Sequence, residues 1–253
     1  KARQFYKIDK YLDEIKATND FPKHIYSSLV NEYGRQNNFK KVEQYMNEIR
    51  SKKNIDVVLY TTVINAYGKV GQFDKVEQYV DEMIKNNVKL NVVTYTALIR
   101  VYGKAKLYDA VEHFVDEMAK NKINPNVVTY NTLINIYGTA ENFDAVEFYL
   151  REMKYRNVKA DIYTYNTIIK VYGDAELFNR VEYCIDEMKR HNVMPDDKTI
   201  DLLCRLPASE KMQKYFSSRI SSIKENIKVT EKKKRKKKTK KLGRGNVDDG
   251  RCG

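Results

Sequence analysis

The sequence predicts an all-α protein, an α-solenoid of stacked helical hairpins, and three observations carry that expectation. Tyr-Gly pairs recur at Tyr33-Gly34, Tyr67-Gly68, Tyr102-Gly103, Tyr137-Gly138 and Tyr172-Gly173, in steps of 34, 35, 35 and 35 residues. Val-Glu pairs beginning at Val42, Val76, Val111, Val146 and Val181 keep the same step, and Glu-Met pairs beginning at Glu82, Glu117, Glu152 and Glu187 share the register. A period of this size marks supersecondary units that stack on one another. Composition agrees: no Trp, four Pro, ten Gly, 32% charged and 42% hydrophobic residues, with helix formers spread throughout the 253 positions.

Within one unit, Tyr95, Leu98, Ile99 and Tyr102 follow the i, i+3, i+4, i+7 pattern of a helix with one buried face. Gly103 is expected to end that helix. A second stripe runs from near Leu107 through Val111, Phe114, Val115 and Met118, and stops in the polar stretch Lys120 to Asn126, which contains Pro125. Two helices of about a dozen residues joined by a short turn form an antiparallel hairpin that cannot bury its apolar face alone. Full units are placed at residues 23–56, 57–91, 92–126, 127–161 and 162–196. Residues 1–22 are a partial unit, since QFYKIDKYLDEI aligns with the second-helix string QFDKVEQYVDEM, so that the repeat can continue upstream. Residues 197–227 carry a fading first-helix pattern and a closing helix, as capping ends of a stack require, and 228–253 form a Lys-rich, extended tail.

The residues exclude several function classes. There is no nucleophile with a partner base, no carboxylate cluster and no Gly-rich phosphate loop, so no enzymatic activity, cofactor or small-molecule substrate is expected. The cysteines, Cys184, Cys204 and Cys252, are widely spaced and form neither a zinc site nor a disulfide framework. Cys184 stands where other units have Val80, Val115 and Leu150, and reads as a packed apolar thiol. No apolar run approaches the roughly 20 residues of a bilayer-spanning helix, so no membrane partner is expected. His113 and His191 are isolated and receive no chemistry.

Charge is concentrated at one end. From Lys224 onward thirteen Lys/Arg stand against four Asp/Glu, a net of +9, which leaves +4 of the chain's +13 for the body. Lys232, Lys233, Lys234, Arg235, Lys236, Lys237, Lys238, Lys240 and Lys241 form the densest run. Such a run suits phosphate contacts and a steep salt dependence, including docking into a large structured RNA. A solvated tail and a nuclear localisation signal are the other uses of the same composition.

The string VVTYNTLINIYG, followed by a second helix and a closing Glu-Met, resembles the pentatricopeptide repeat family, and the resemblance covers about residues 4 to 200. The competing tetratricopeptide repeat carries a Trp in its first helix, which this chain lacks. The resemblance implies a right-handed superhelix of the simple type with 35-residue repeats, binding single-stranded RNA at one base per repeat. In that family, the fifth and last residues of a unit recognise the base. Here those couples are Ser27 with Asp56, Thr61 with Asn91, Thr96 with Asn126, Asn131 with Asp161, and Asn166 with Asp196. The family's pairing rules imply G for Ser/Asp, A for Thr/Asn and U for Asn/Asp, hence 5′-GAAUU-3′. Val58, Val93, Val128 and Tyr163, second in their units, resemble family positions that sandwich bases, while His24 holds this place in the first unit.

The boundary residues Asp56, Asn91, Asn126, Asp161 and Asp196 also suit helix N-caps, a role that can coexist with base recognition. The tyrosines of the Tyr-Gly pairs share a stripe with Leu98 and Ile99, which makes them core rather than a stacking platform. The resemblance places the protein in a mitochondrion or chloroplast, where an RNA-bound array stabilises a transcript, keeps it unpaired for translation, or assists its processing. Its alternative is a structural subunit of an organellar ribosome, held to ribosomal RNA within a larger ribonucleoprotein assembly.

Overall fold

The computed structural model describes residues 23–51 and 55–206, together with isolated helical positions between 214 and 229. The partial repeat at 1–22 and the nine cations of the tail lie outside the described residues, as does the His24 side chain. Eleven helices and no strand occur among the described residues: α1 (Lys23–Arg35), α2 (Phe39–Ser51), α3 (Val57–Lys69), α4 (Phe73–Lys85), α5 (Val92–Lys104), α6 (Tyr108–Lys120), α7 (Val127–Thr139), α8 (Phe143–Tyr155), α9 (Ile162–Asp174), α10 (Phe178–Arg190) and α11 (Asp197–Arg205). The chain divides into two compact units between Thr132 and Leu133, inside α7. In the first, α1 packs on α2, α3 on α4 and α5 on α6, and the first helices α1, α3 and α5 pack in sequence. In the second, α9 packs on α10 and on α11.

The repeated letters make the core. Val42, Val76, Val111, Val146 and Val181 are fully buried, and so, within a few per cent, are Met83, Met118, Met153 and Met188. The tyrosines of the Tyr-Gly pairs are buried too. Their rings join neighbouring hairpins: Phe39 stacks on Tyr67 with ring centroids 4.6 Å apart, and Phe73 on Tyr102 at 5.2 Å. At the second helices, Arg50 forms a two-point ion pair with Glu82 at 2.8 and 2.6 Å, crossing from α2 to α4. Cys184 is buried in α10, and burial pushes its thiol up to about 12.

Glycine does not end the first helices. α5 runs through Gly103 to Lys104, and the reversal comes at Lys106, which has φ 61. Leu107 N donates to Tyr102 O and Lys106 N to Gly103 O, both at 3.0 Å, a Schellman closure. The glycine instead makes room: a β-carbon on Gly68 would lie 2.4 Å from both methyl carbons of Val101 on the next first helix.

The left-handed turn residue is Gly71 in one hairpin but Lys106 and Glu141 in two others. A side chain there costs about 1–2 kcal/mol against glycine, offset by glycine's larger entropy loss of about 0.5–1 kcal/mol. Lys106→Gly and Glu141→Gly are therefore each expected to stabilise by about 0.5–1 kcal/mol, read from urea midpoints at unchanged slope.

Candidate nucleic-acid interface

The first helices α3, α5, α7, α9 and α11 each begin at a polar residue whose side chain caps them. Asp56 Oδ1 accepts from Leu59 N at 2.9 Å, Asn91 Oδ1 from Val93 N and Thr94 N at 3.0 Å each, and Asn126 Oδ1 from Thr129 N at 3.0 Å. Asp161 and Asp196 close full capping boxes with Thr164 and Thr199. Burial works to raise the Asp196 pKa, but hydrogen bonds from the Thr199 amide, the Thr199 hydroxyl and Asn166 outweigh it and hold the carboxyl below its ordinary value. The capping role of the last residues is thus realised in the geometry.

Two residues on, the side chains point out. Val58, Val93, Val128 and Tyr163 are 57, 60, 49 and 65% exposed, each on the first turn of its own helix, α3, α5, α7 or α9. Apolar side chains left about half or more in water at one repeated position do not belong to the core. Beyond α9 the same place holds Lys198, whose Nζ lies 5.7 Å from the centre of the Tyr163 ring.

The fifth-position residues are set deeper than a polar letter on a first helix leads one to expect. Thr61, Thr96 and Asn166 are only 8, 4 and 4% exposed, and they lie in the seam between consecutive first helices. Their burial is permitted because the seam is polar on both sides. Thr61 Oγ1 sits 2.8 Å from Thr94 Oγ1, and Thr96 Oγ1 sits 2.7 Å from Thr129 Oγ1. Asn166 Oδ1 accepts from Thr199 Oγ1 at 2.7 Å, and its Nδ2 donates to Asp196 Oδ1 at 3.2 Å. Three couples are therefore brought together: Thr61 reaches Asn91 through Thr94, Thr96 reaches Asn126 through Thr129, and Asn166 meets Asp196 directly. Asn131 Oδ1 is buried without a hydrogen-bond partner. Ser27 is half-buried, and Leu59 occupies the place that Thr94 or Thr129 holds after the Thr couples.

Ser27 also borders a cleft of about 480 Å³ in the first unit. Its lining includes Ser28, Asn31, Thr62 and Asn65, and three cations, Lys69, Arg100 and Lys104, with no carboxylate. Sequence reasoning missed these cations. They share a helix face with the exposed valines by helical spacing, Arg100 and Lys104 with Val93, and Lys69 with Val58, Thr62 and Asn65. It also missed the third-position threonines, whose hydroxyls tie the seam. Among the described residues no group of His, Cys, Asp and Glu could hold a metal ion, and no helix is long and apolar enough to cross a membrane.

Family models match along most of the described chain. A pentatricopeptide repeat domain matches residues 78–140, the PPR repeat family matches 125–174, and the single PPR repeat matches 24–54, 58–88 and 163–193. No curated protein matches the sequence significantly. Among solved structures, the pentatricopeptide repeat protein PPR10 from maize is similar at 22% identity with a TM-score of 0.60, over 87% of this chain and 32% of that one. PPR10 in complex with an 18-nt psaJ RNA element gives 22% and 0.64, over 81% and 31%. The PPR domain of Arabidopsis thaliana protein-only RNase P 1, in complex with tRNA, gives 14% and 0.56, over 77% of this chain and 100% of that one. These likenesses are of fold, a stack of helical hairpins, and the chain spans about a third of the length of PPR10.

Proposed function

The chain belongs to the pentatricopeptide repeat family, and we propose that it binds single-stranded RNA along its first helices, one base per repeat and without catalysis. The observation that carries this reading is the exposure of Val58, Val93, Val128 and Tyr163, second in their repeats, while Thr61, Thr96 and Asn166, fifth in theirs, are buried. A base slotted between two such side chains gains stacking or apolar contact, about 1–3 kcal/mol for an aromatic and less for valine. Its edge then faces the couple at the floor of the slot. Lys69, Arg100 and Lys104 supply cations for the phosphate backbone. The order of couples corresponds to 5′-GAAUU-3′.

Thr61, Thr96 and Asn166 are already hydrogen-bonded within the protein, so a base there exchanges bonds in part, and discrimination per unit is modest. Thr96→Asn combined with Asn126→Asp is expected to move the third base from A to U, by about 1 kcal/mol. Competition binding between GAAUU and GAUUU oligonucleotides reads this directly, and an unchanged order of affinities refutes the assignment for that unit. The biological setting that fits is a mitochondrion or chloroplast, where a bound array excludes nucleases or keeps a segment unpaired. Five bases recur about once in a thousand nucleotides, and the +9 charge of the C-terminal region favours a second setting, on ribosomal RNA inside a larger assembly. Stable cosedimentation with organellar ribosomes, with no preference among oligonucleotides, would select that one.

A further inference from the structure

We propose that the groove between the second helices α4 and α6 docks a basic, amphipathic helix of a partner protein. The groove shares no lining residue with the cationic cleft beside Ser27, and its role does not rest on base reading.

The repeat shows why this seam is open. Between α2 and α4, Arg50 reaches forward to Glu82 at 2.6 Å and Lys75 reaches back to Glu43 at 3.5 Å. Between α8 and α10, Arg180, which stands three units on at the place of Lys75, pairs with Glu147. Between α4 and α6 the places of Arg50 and Lys75 hold Ile84 and Ala110, so neither bridge can form. Packing loosens accordingly. Tyr45, Tyr79, Tyr149 and Cys184 are buried, whereas Phe114, at the same place in α6, is half-buried. A cleft of about 1160 Å³ results, and its apolar lining includes Val80, Ile84, Leu90, Phe114 and Ile123. Ile84 is left 59% exposed.

An open apolar cleft between two helices suits a third helix that brings its own apolar stripe. The charge of the lining selects which one. Glu77, Asp81, Asp109 and Glu117 stand there against Lys89. Asp81 and Asp109 are exposed and have no ion-pair partner among the described residues, and Glu117 pairs with Lys120 of its own helix at 3.1 Å. These carboxylates repel a phosphate backbone and favour lysine or arginine. The chain's own run KKKRKKKTKK has the charge but no apolar side chain to fill the cleft. A helix with apolar residues at i, i+4 and i+7 and cations beside them meets both requirements. α4 and α6 have 13 residues each, a length of about 20 Å, so about a dozen residues of the partner would span them.

Two labelled synthetic peptides of about 14 residues provide the test. They share one leucine stripe at helical spacing and carry lysine or glutamate at the other positions. Fluorescence anisotropy on the full chain is expected to show the lysine peptide binding at least about tenfold tighter than the glutamate peptide. Asp81→Lys combined with Asp109→Lys should weaken the lysine peptide about tenfold or more and flatten its salt dependence. Ile84→Arg should abolish binding by another route, since it sets opposite Glu117 the guanidinium that Arg50 sets opposite Glu82, and closes the seam. The substituted residues are exposed, so thermal melts of both variants should match or exceed wild type. A GAAUU oligonucleotide should not displace the peptide. Binding of the lysine peptide weaker than about 100 μM, equal binding of the two peptides, or binding that survives both variants overturns the proposal. Displacement by the oligonucleotide would put the cleft on the RNA path, and self-association of the chain lost in Ile84→Arg would assign it to a second copy, and either result overturns the proposal as well. None of these outcomes depends on the base preference of the slots.

Discussion

Gly68→Ala is expected to destabilise the first unit by about 1–2 kcal/mol, although alanine is the better helix former by about 1 kcal/mol. The sign is decided by Val101. A β-carbon at position 68 would lie 2.4 Å from both Val101 methyl carbons and 2.9 Å from its Cβ. Rotating a valine about χ1 cannot clear two methyls and their parent carbon together, and helical valine is confined to one rotamer in any case. The two first helices must therefore move apart, which loosens the whole seam. Val101→Ala alone loses buried methyls, but in the Gly68→Ala background it vacates the space the new carbon needs. The double-mutant cycle should show a favourable coupling of about 2 kcal/mol in urea unfolding. Gly138 faces Val171 in the same way, with 2.3 and 2.5 Å, and should behave alike. Gly173 provides the contrast, since its only close neighbour is Leu206 Cδ2 at 2.2 Å, the far end of a flexible side chain, with the next atoms at 3.5 Å and beyond. Gly173→Ala should stay within about 0.5 kcal/mol of wild type. A stabilised Gly68→Ala would show that the glycine is not a spacer.

That glycine also marks where sequence reasoning reached its limit. Tyr-Gly gave the period, and the period gave the hairpins, because burial every third or fourth residue leaves a pattern in the letters themselves. What a glycine does inside a helix leaves none: the same letter reads as a stop or as a close approach, and only the distance to Val101 separates them. The second-position residues were legible through the repeat, and their exposure follows from one stripe of the first helix. The depth of Thr61, Thr96 and Asn166 was not, since a polar residue normally signals solvent and the partner that permits burial lies 33 residues away. That partner, Thr94, Thr129 or Thr199, resembles ordinary β-branched filler until its hydroxyl is placed. Lys69, Arg100 and Lys104 were within reach, because the face that starts at Val58 or Val93 needed only to be followed two to three more turns along its helix.

Deleting residues 232–241 is expected to weaken binding to a long single-stranded RNA by about two to three orders of magnitude at low salt, and to flatten its salt dependence. The segment carries nine cations in ten residues. On single strands each neutralised phosphate contributes about −0.7 to the slope of log affinity against log salt, so six such contacts account for about −4. Between 50 and 200 mM salt the intact chain then loses about 250-fold more affinity than the deletion variant. Phosphates carry no base identity, so the ratio of affinities for GAAUU and GAUUU flanked by equal lengths of RNA should be the same with and without the tail. An unchanged slope would remove the tail from the RNA contact. A changed base ratio would instead mean that the tail acts on the slots themselves, which point charges on flexible side chains are poorly built to do. Affinity carried by the tail and identity carried by the seams would let five weakly selective units hold one RNA segment firmly. Each bond exchange in a slot then has only to rank bases, since the lysines already keep the strand in place.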